Sequence, residues 1–252
     1  KPIFALAIVG MPIDKMDLAD IRQILAGGAS ICAEAGIPVA GGHSIDCPEP
    51  VYGLAVIGTC PTAQVKRNSH ARAGDVLILT KGLGIGIYSS AIKKDQISYS
   101  AYEEMVASTT LLNRIGAELA ANPAVNAMTD VTGFGILGHS LEMARGAGLT
   151  VKLGLASLPL LSEAEALAQK GCVTGASHRN WKSYGESVVL PEGLEDWRRH
   201  ILTDPQTSGG LLVAVAAEEA ENLLRHIRDN GYPRASVVGR IEKGPAQVVV
   251  EG

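Results

Sequence analysis

Asp130 closes an apolar run, Val125-Asn126-Ala127-Met128, and glycines follow it at positions 133, 135 and 138. A helix-forming run, Leu141-Glu142-Met143-Ala144-Arg145, comes next. This pattern sets a carboxylate at the C-terminal end of a strand with flexible backbone beside it. A hard cation such as Mg²⁺ takes oxygen ligands and often shares them with phosphates. Glycines let the backbone approach a phosphate closely, and the N-terminus of the following helix favours anions. The same residues also fit an aspartate that N-caps a helix after a turn. Local pattern alone leaves both readings open.

Two further segments carry comparable chemistry. Ala40-Gly41-Gly42-His43-Ser44-Ile45-Asp46 reads as a glycine turn with polar side chains between apolar segments. Thr203-Asp204-Pro205-Gln206-Thr207-Ser208-Gly209-Gly210 reads as an acid-plus-glycine turn before a strand, Leu211–Val215. Each is also an ordinary loop by its turn chemistry. Three of them in one chain suggest a site rich in backbone donors and carboxylates. Asp204 precedes a proline, and Asp-Pro is itself a turn signal, so a structural role is favoured for it over a metal role. Asp46 is read the same way. Gly175-Ala176-Ser177-His178-Arg179-Asn180-Trp181 is expected to be a polar loop, facing either ligand or solvent.

Composition narrows the function classes. A length of 252 residues allows one large or two modest domains. Hydrophobic residues make up 46% and charged residues 19%, which suits a globular chain with ample core. The net charge of −4 argues against a broad nucleic-acid-binding face. No run reaches the ~18 apolar residues of a membrane span, and no signal peptide is apparent. Cys32, Cys47, Cys60 and Cys172 form no CxxC pair, which disfavours zinc and suits a reducing cytoplasm. Cys32 and Cys60 are expected to be core thiols. Gly82-Leu83-Gly84-Ile85-Gly86-Ile87 lacks the last glycine of a dinucleotide fingerprint, so it reads as a tight strand-to-helix turn after Lys81. No P-loop string occurs.

The periodicity predicts strands at 3–9, 51–59, 75–80, 150–153, 211–215, 236–241 and 247–250. It predicts helices at 17–35, 100–121, 162–169 and 218–230, with another running to about 147. The helix from Ser100 is expected to start on a capping box. A polar, basic stretch from Pro61 to Ala73 marks the domain boundary. Residues 1–65 are assigned to an N-terminal domain and 66–252 to a C-terminal α+β domain. Strands alternating with helices give an α/β to α+β fold class.

The strings Gly41-Gly42-His43-Ser44-Ile45-Asp46 and Asp204-Pro205-Gln206-Thr207-Ser208-Gly209-Gly210, in this order with the Asp130 turn, resemble the selenophosphate synthetase (selenide, water dikinase) family. The resemblance runs from Pro2-Ile3-Phe4-Ala5-Leu6 to Val237-Val238-Gly239-Arg240-Ile241. Looser versions of the strings mark the wider aminoimidazole-ribonucleotide-synthetase-like superfamily of ATP-dependent enzymes. The resemblance implies a two-domain fold whose N-terminal domain is incomplete here, a homodimer formed through its strands, and ATP and Mg²⁺ at the site. It implies synthesis of selenophosphate from ATP, selenide and water, with release of AMP and orthophosphate. Gly42, His43 and Ser44 match the family's ATP-contacting turn, and Asp130 matches a metal-binding aspartate. The family's nucleophile, an essential lysine and its other metal-binding aspartates belong to a segment absent here, so no catalytic residue is assigned, and Cys47 is no replacement. The chain alone is therefore expected to be inactive. Another ATPase of the superfamily, or a non-catalytic dimerising and nucleotide-binding fragment, are the alternatives.

Overall fold

Alternation in Pro2–Met11 builds the first strand, β1: Ala5 is buried, while Leu6 and Ile8 are exposed. Helix α1, Leu18–Glu34, follows, and the Asp17 carboxylate caps it by accepting the Ala19 amide at 2.8 Å. The chain returns as β2, Val39–Asp46, parallel to β1, and then as β3, Val51–Gly58, antiparallel on the other side of β1. The three-stranded order is β2-β1-β3. Cys32 of α1, Ala5 and Ile37 make a small core against one face. On the opposite face Leu6, Ile8, Ile45 and Ile57 are exposed.

The structure, a computed structural model, describes all 252 residues, which fold into two compact units, Lys1–Val65 and Lys66–Gly252. The second unit is built on a seven-stranded mixed sheet. Its strands are β4 (Val76–Leu79), β5 (Val125–Asp130), β6 (Thr150–Gly154), β7 (Val188–Val189), β8 (Leu211–Val215), β9 (Ser236–Glu242) and β10 (Gln247–Glu251). They lie in the order β5-β8-β4-β9-β6-β10-β7. Helices α2 (Ile85–Lys93), α3 (Tyr99–Thr110), α4 (Ile115–Ala121), α5 (Gly135–Ala147), α6 (Ala164–Gln169), α7 (Gly175–Tyr184), α8 (Asp196–Leu202) and α9 (Ala220–Asp229) complete it.

Side-chain alternation divides the core between the two sheet faces. Leu77 and Leu79 of β4 pack with Ile136, Leu137 and Leu141 of α5. Ile78 points the other way, with Val213 and Val215 of β8, to meet Ile115 and Leu119 of α4 and Leu223 and Ile227 of α9. A third cluster joins α2, α6 and α8 through Ile87, Tyr88, Leu167 and Ile201.

Four sequence expectations require correction. Residues 40–46 are not a turn but most of strand β2, with Gly41 and Gly42 at φ of 152° and 154°. A Cβ on Gly42 would lie 1.9 Å from the Ala7 carbonyl oxygen, so the glycine permits strand contact rather than chain reversal. The helix expected over 100–121 is two helices, α3 and α4, and its cap is Ser98, whose hydroxyl accepts the Ala101 amide. Tertiary bonds break it: the Tyr232 hydroxyl donates to the Leu112 carbonyl at 2.6 Å, and the Asn113 amide donates to the Gly209 carbonyl at 2.8 Å. Residues 175–181 open helix α7, capped by the Thr174 hydroxyl, rather than forming a loop. Cys60 is exposed, because β3 ends at Gly58, whereas Cys32 is buried as expected.

Candidate functional site

In the larger unit three loops meet at one edge of the sheet. β8 lies between β5 and β4 and is antiparallel to both. The C-terminal ends of β4 and β5 therefore lie beside the start of β8. This brings together the Lys81 turn, the Asp130 turn and the 204–210 turn, which are distant in sequence.

Asp130 is exposed, and no hydrogen bond or ion pair holds its carboxylate. It does not cap α5: Phe134 occupies the N-cap position and no side chain caps there. The capping alternative is thereby excluded, and a free carboxylate stands at the strand end. Its backbone, by contrast, is tightly held. The Val131 amide donates to the Gly210 carbonyl at 2.8 Å, and the Gln206 amide donates to the Thr132 carbonyl at 3.0 Å. The Asn180 side-chain amide donates to the Gly133 carbonyl at 2.8 Å and the Thr203 carbonyl at 3.0 Å. The Tyr184 hydroxyl donates to the Phe134 carbonyl at 2.6 Å. Gly135, at φ of 69°, has no room for a side chain, since a Cβ would lie 2.8 Å from the Thr203 carbonyl carbon.

Asp204 has a different role. It is 1% exposed, and its Oδ2 accepts the Gly86 amide at 2.9 Å and the Gln206 side-chain amide at 3.0 Å. Gln206 Oε1 accepts the Gly84 and Ile85 amides at 3.1 and 3.2 Å. Asp204 and Gln206 thus satisfy the orphan amides at the start of α2 from another part of the chain. The glycines at 84 and 86 give them access: a Cβ on Gly86 would lie 2.4 Å from Asp204 Oδ1. Burial pushes the Asp204 carboxyl up to about 7, against the lowering effect of its hydrogen bonds. Its Oδ1 has no partner.

Lys81 is 3% exposed, and its ammonium donates to the carbonyls of Leu111, Ser208 and Ser108 at 2.6, 2.7 and 3.2 Å. Three N–H donors meet three acceptors. Burial lowers its pKa to about 8. A cleft of about 310 Å³ adjoins it, lined also by Leu161, Tyr232 and Arg234.

Gly42, His43 and Ser44 lie in the smaller unit, on β2, and are exposed. β2 is an edge strand paired only with β1, so the backbone N–H groups on its outer side are free to donate. They form an extended edge rather than the glycine turn expected. Asp46 ends the same strand and is exposed.

The sequence reading missed Asn180, Tyr184 and the capping role of Gln206. No spacing rule marks them, because each acts across more than twenty residues. Ser177, His200 and Asp196 also converge, with Ser177 Oγ 2.9 Å from His200 Nδ1 and His200 Nε2 3.9 Å from Asp196. Ser177 is wholly buried and also bonded to Thr203 Oγ1 at 2.6 Å, so it is no accessible nucleophile. No group of three or more His, Cys, Asp or Glu side chains is arranged to hold a metal ion. The donor set that Asp130 offers is a single carboxylate, which fits Mg²⁺ shared with phosphate oxygens and water rather than an all-protein cage.

Residues 1–60 match the N-terminal domain of AIR synthase related proteins, and residues 72–251 match the C-terminal domain. The chain is 63% identical over 250 residues to a selenide, water dikinase of Rhizobium meliloti (strain 1021), covering 99% of this chain and 72% of that protein. It is 58% identical over 250 residues to the selenide, water dikinase of Burkholderia ambifaria (strain MC40-6), covering 99% and 71%. Among solved structures, E. coli HypE, a hydrogenase maturation protein, superposes with a TM-score of 0.73 at 18% identity, over 100% of this chain and 70% of HypE. Thiamine-monophosphate kinase from Stenotrophomonas maltophilia K279a gives 0.70 at 19% identity, over 100% and 72%. These two likenesses establish the fold, as expected from sequence.

Proposed function

The chain belongs to the selenide, water dikinase family within the AIR synthase related proteins, and from that we infer that it serves ATP-dependent synthesis of selenophosphate from selenide and water, with release of AMP and orthophosphate. It is an enzyme of the transferase class. The geometric observation that carries the site assignment is the contrast at Asp130, between a free, exposed carboxylate and a backbone fixed on several sides.

On this reading Asp130 is a Mg²⁺ ligand. The cation, when bound, neutralises phosphate charge and polarises the phosphoryl group. Phosphoryl transfer asks the protein chiefly for positioning, and a carboxylate that does not wander supplies it. Asn180, Tyr184 and Gln206 hold the glycine turn behind Asp130 so that the carboxylate meets its partner without reorganisation. Gly42, His43 and Ser44 are the second element of the reading. Their exposed strand edge offers amide donors and a hydroxyl to ATP. Selenide and ATP are the substrates.

The reading also includes a homodimer. The open face carrying Leu6, Ile8, Ile45 and Ile57 is apolar, and both outer edges of its sheet are unpaired. No helix is long and apolar enough to cross a membrane. All four cysteines are free, which accords with a reducing compartment such as the cytoplasm.

The test is Asp130→Asn in a complete protein of the length of the relatives matched, assayed for selenide-dependent AMP release with Mg²⁺-ATP. Loss of at least a hundredfold, with unchanged unfolding behaviour, is expected, because no hydrogen bond or ion pair within the fold uses the side chain. Near-normal turnover by the folded variant would remove Asp130 from the site.

A further inference from the structure

Lys81 is a fully engaged ammonium in a place where the reading above uses no lysine. Two of its three acceptors, the Ser108 and Leu111 carbonyls, lie at the C-terminal end of α3. A cation there complements the helix dipole. The third, the Ser208 carbonyl at 2.7 Å, does not belong to that helix. Ser208 is exposed, and its φ of 49° is left-handed, one of only two positive values among residues other than glycine. Such a backbone persists only when its surroundings fix it.

The surroundings are on view. Lys81 pulls on the Ser208 carbonyl, and the Asn113 amide holds the Gly209 carbonyl at 2.8 Å. The Leu211 amide donates to Thr80 Oγ1 at 2.8 Å. Gly210 sits so close to Lys81 that a Cβ would lie 2.5 Å from the Lys81 backbone nitrogen. The far side of this turn is the wall of the Asp130 loop. The Gly210 carbonyl receives the Val131 amide, and a Cβ on Gly209 would lie 1.9 Å from the Val131 oxygen. Lys81, Ser208, Gly209–Gly210 and Val131 thus form an unbroken chain of contacts ending one residue from Asp130.

We propose that Lys81 is a positioning residue: by holding Ser208 in its left-handed conformation it sets the 208–210 backbone, and through it the Asp130 carboxylate, for Mg²⁺-ATP. The functional half of this inference rests on the reading of Asp130 given above. The conformational half stands on the contacts alone.

The test separates positioning from mere stability. Lys81→Met removes the tie. Lys81→Met combined with Ser208→Gly removes the tie but lets residue 208 adopt a positive φ at no steric cost. Ser208→Val keeps Lys81 intact while a β-branched side chain resists that φ, and it serves if Lys81→Met does not fold. Three quantities are read for each folded variant: hydrogen exchange over residues 206–213, Mg²⁺-ATP affinity by calorimetry, and urea unfolding. Lys81→Met and Ser208→Val are expected to speed exchange of the Leu211 amide at least tenfold and to weaken Mg²⁺-ATP at least tenfold. The double variant is expected to recover affinity to within threefold of the parent while remaining as unstable as Lys81→Met, since the Ser108 and Leu111 carbonyls still lack their donor. Stability and affinity that fall and recover together, or unchanged exchange in Lys81→Met and Ser208→Val, would overturn the proposal. Altered exchange with unchanged affinity would overturn its functional half. With the complete protein as parent, failure to bind Mg²⁺-ATP would instead refute the reading of Asp130, and the exchange measurement would still decide whether Lys81 fixes Ser208.

Discussion

Replacing Asp204 with asparagine should stabilise the larger unit at pH 8 and leave it nearly unchanged at pH 4. Asp204 is 1% exposed, and burial raises its carboxyl from an ordinary 3.8 to about 7. The folded chain therefore holds this proton more tightly than the unfolded chain does. The stability that follows is fully present below about pH 4, where the group is protonated in both states. It is lost as pH rises through the window to about 7. Each pH unit of that window is worth about 1.4 kcal/mol, so the whole interval amounts to at most about 4 kcal/mol. Asparagine resembles the neutral acid. Its oxygen can take the Gly86 amide and the Gln206 side-chain amide that Oδ2 accepts now, and its NH₂ takes the place of the unpartnered Oδ1. Asp204→Asn should accordingly match the parent at pH 4 and exceed it by about 2 to 4 kcal/mol at pH 8, the lower figure allowing for relaxation around the charge. The assay is urea unfolding followed by tryptophan fluorescence. The chain has 2 tryptophans, Trp181 and Trp197, and both lie in the larger unit. A stability difference independent of pH, or a variant less stable than the parent at pH 8, would refute the account of Asp204 as a buried cap with a costly charge.

Gly209→Ala should destabilise the larger unit by about 3 kcal/mol, the upper end for overpacking, because its Cβ would meet the Val131 carbonyl oxygen at 1.9 Å; equal unfolding midpoints for variant and parent would contradict the packing described. Gln206→Ala should cost about 1 to 2 kcal/mol by leaving the Gly84 and Ile85 amides without their acceptor, and faster hydrogen exchange at those amides is the direct check. Ile8→Lys places a charge in the open apolar face of the smaller unit and should shift the protein toward monomer in light scattering without changing its secondary structure. An unchanged mass would separate that face from assembly.

Much of the fold was legible because periodicity reports local geometry. The 17–35 pattern became α1 with Asp17 as its cap, and the apolar run 211–215 became β8. The acid at a strand end with glycines after it was also legible, as a constellation of residue types. Three things were not. The break between α3 and α4 comes from Tyr232, Asn113 and Lys81 contacts, which override a continuous helical pattern. Gly41 and Gly42 look like a turn in sequence, yet they serve an extended strand pressed against Ala7, because glycine signals either reversal or close approach.

The third is the division of labour between two acids. Asp130 and Asp204 both precede glycine-containing turns, and sequence could rank them only by resemblance and by the proline after Asp204. Side-chain chemistry and local spacing were enough to mark which residues can bear charge and where most strands and helices run. Long-range packing is what seals Asp204 beneath α2 as its cap and leaves Asp130 free at the sheet edge. Burial and hydrogen-bond partners are supplied by residues dozens of positions away, and a carboxylate's role is set by what surrounds it.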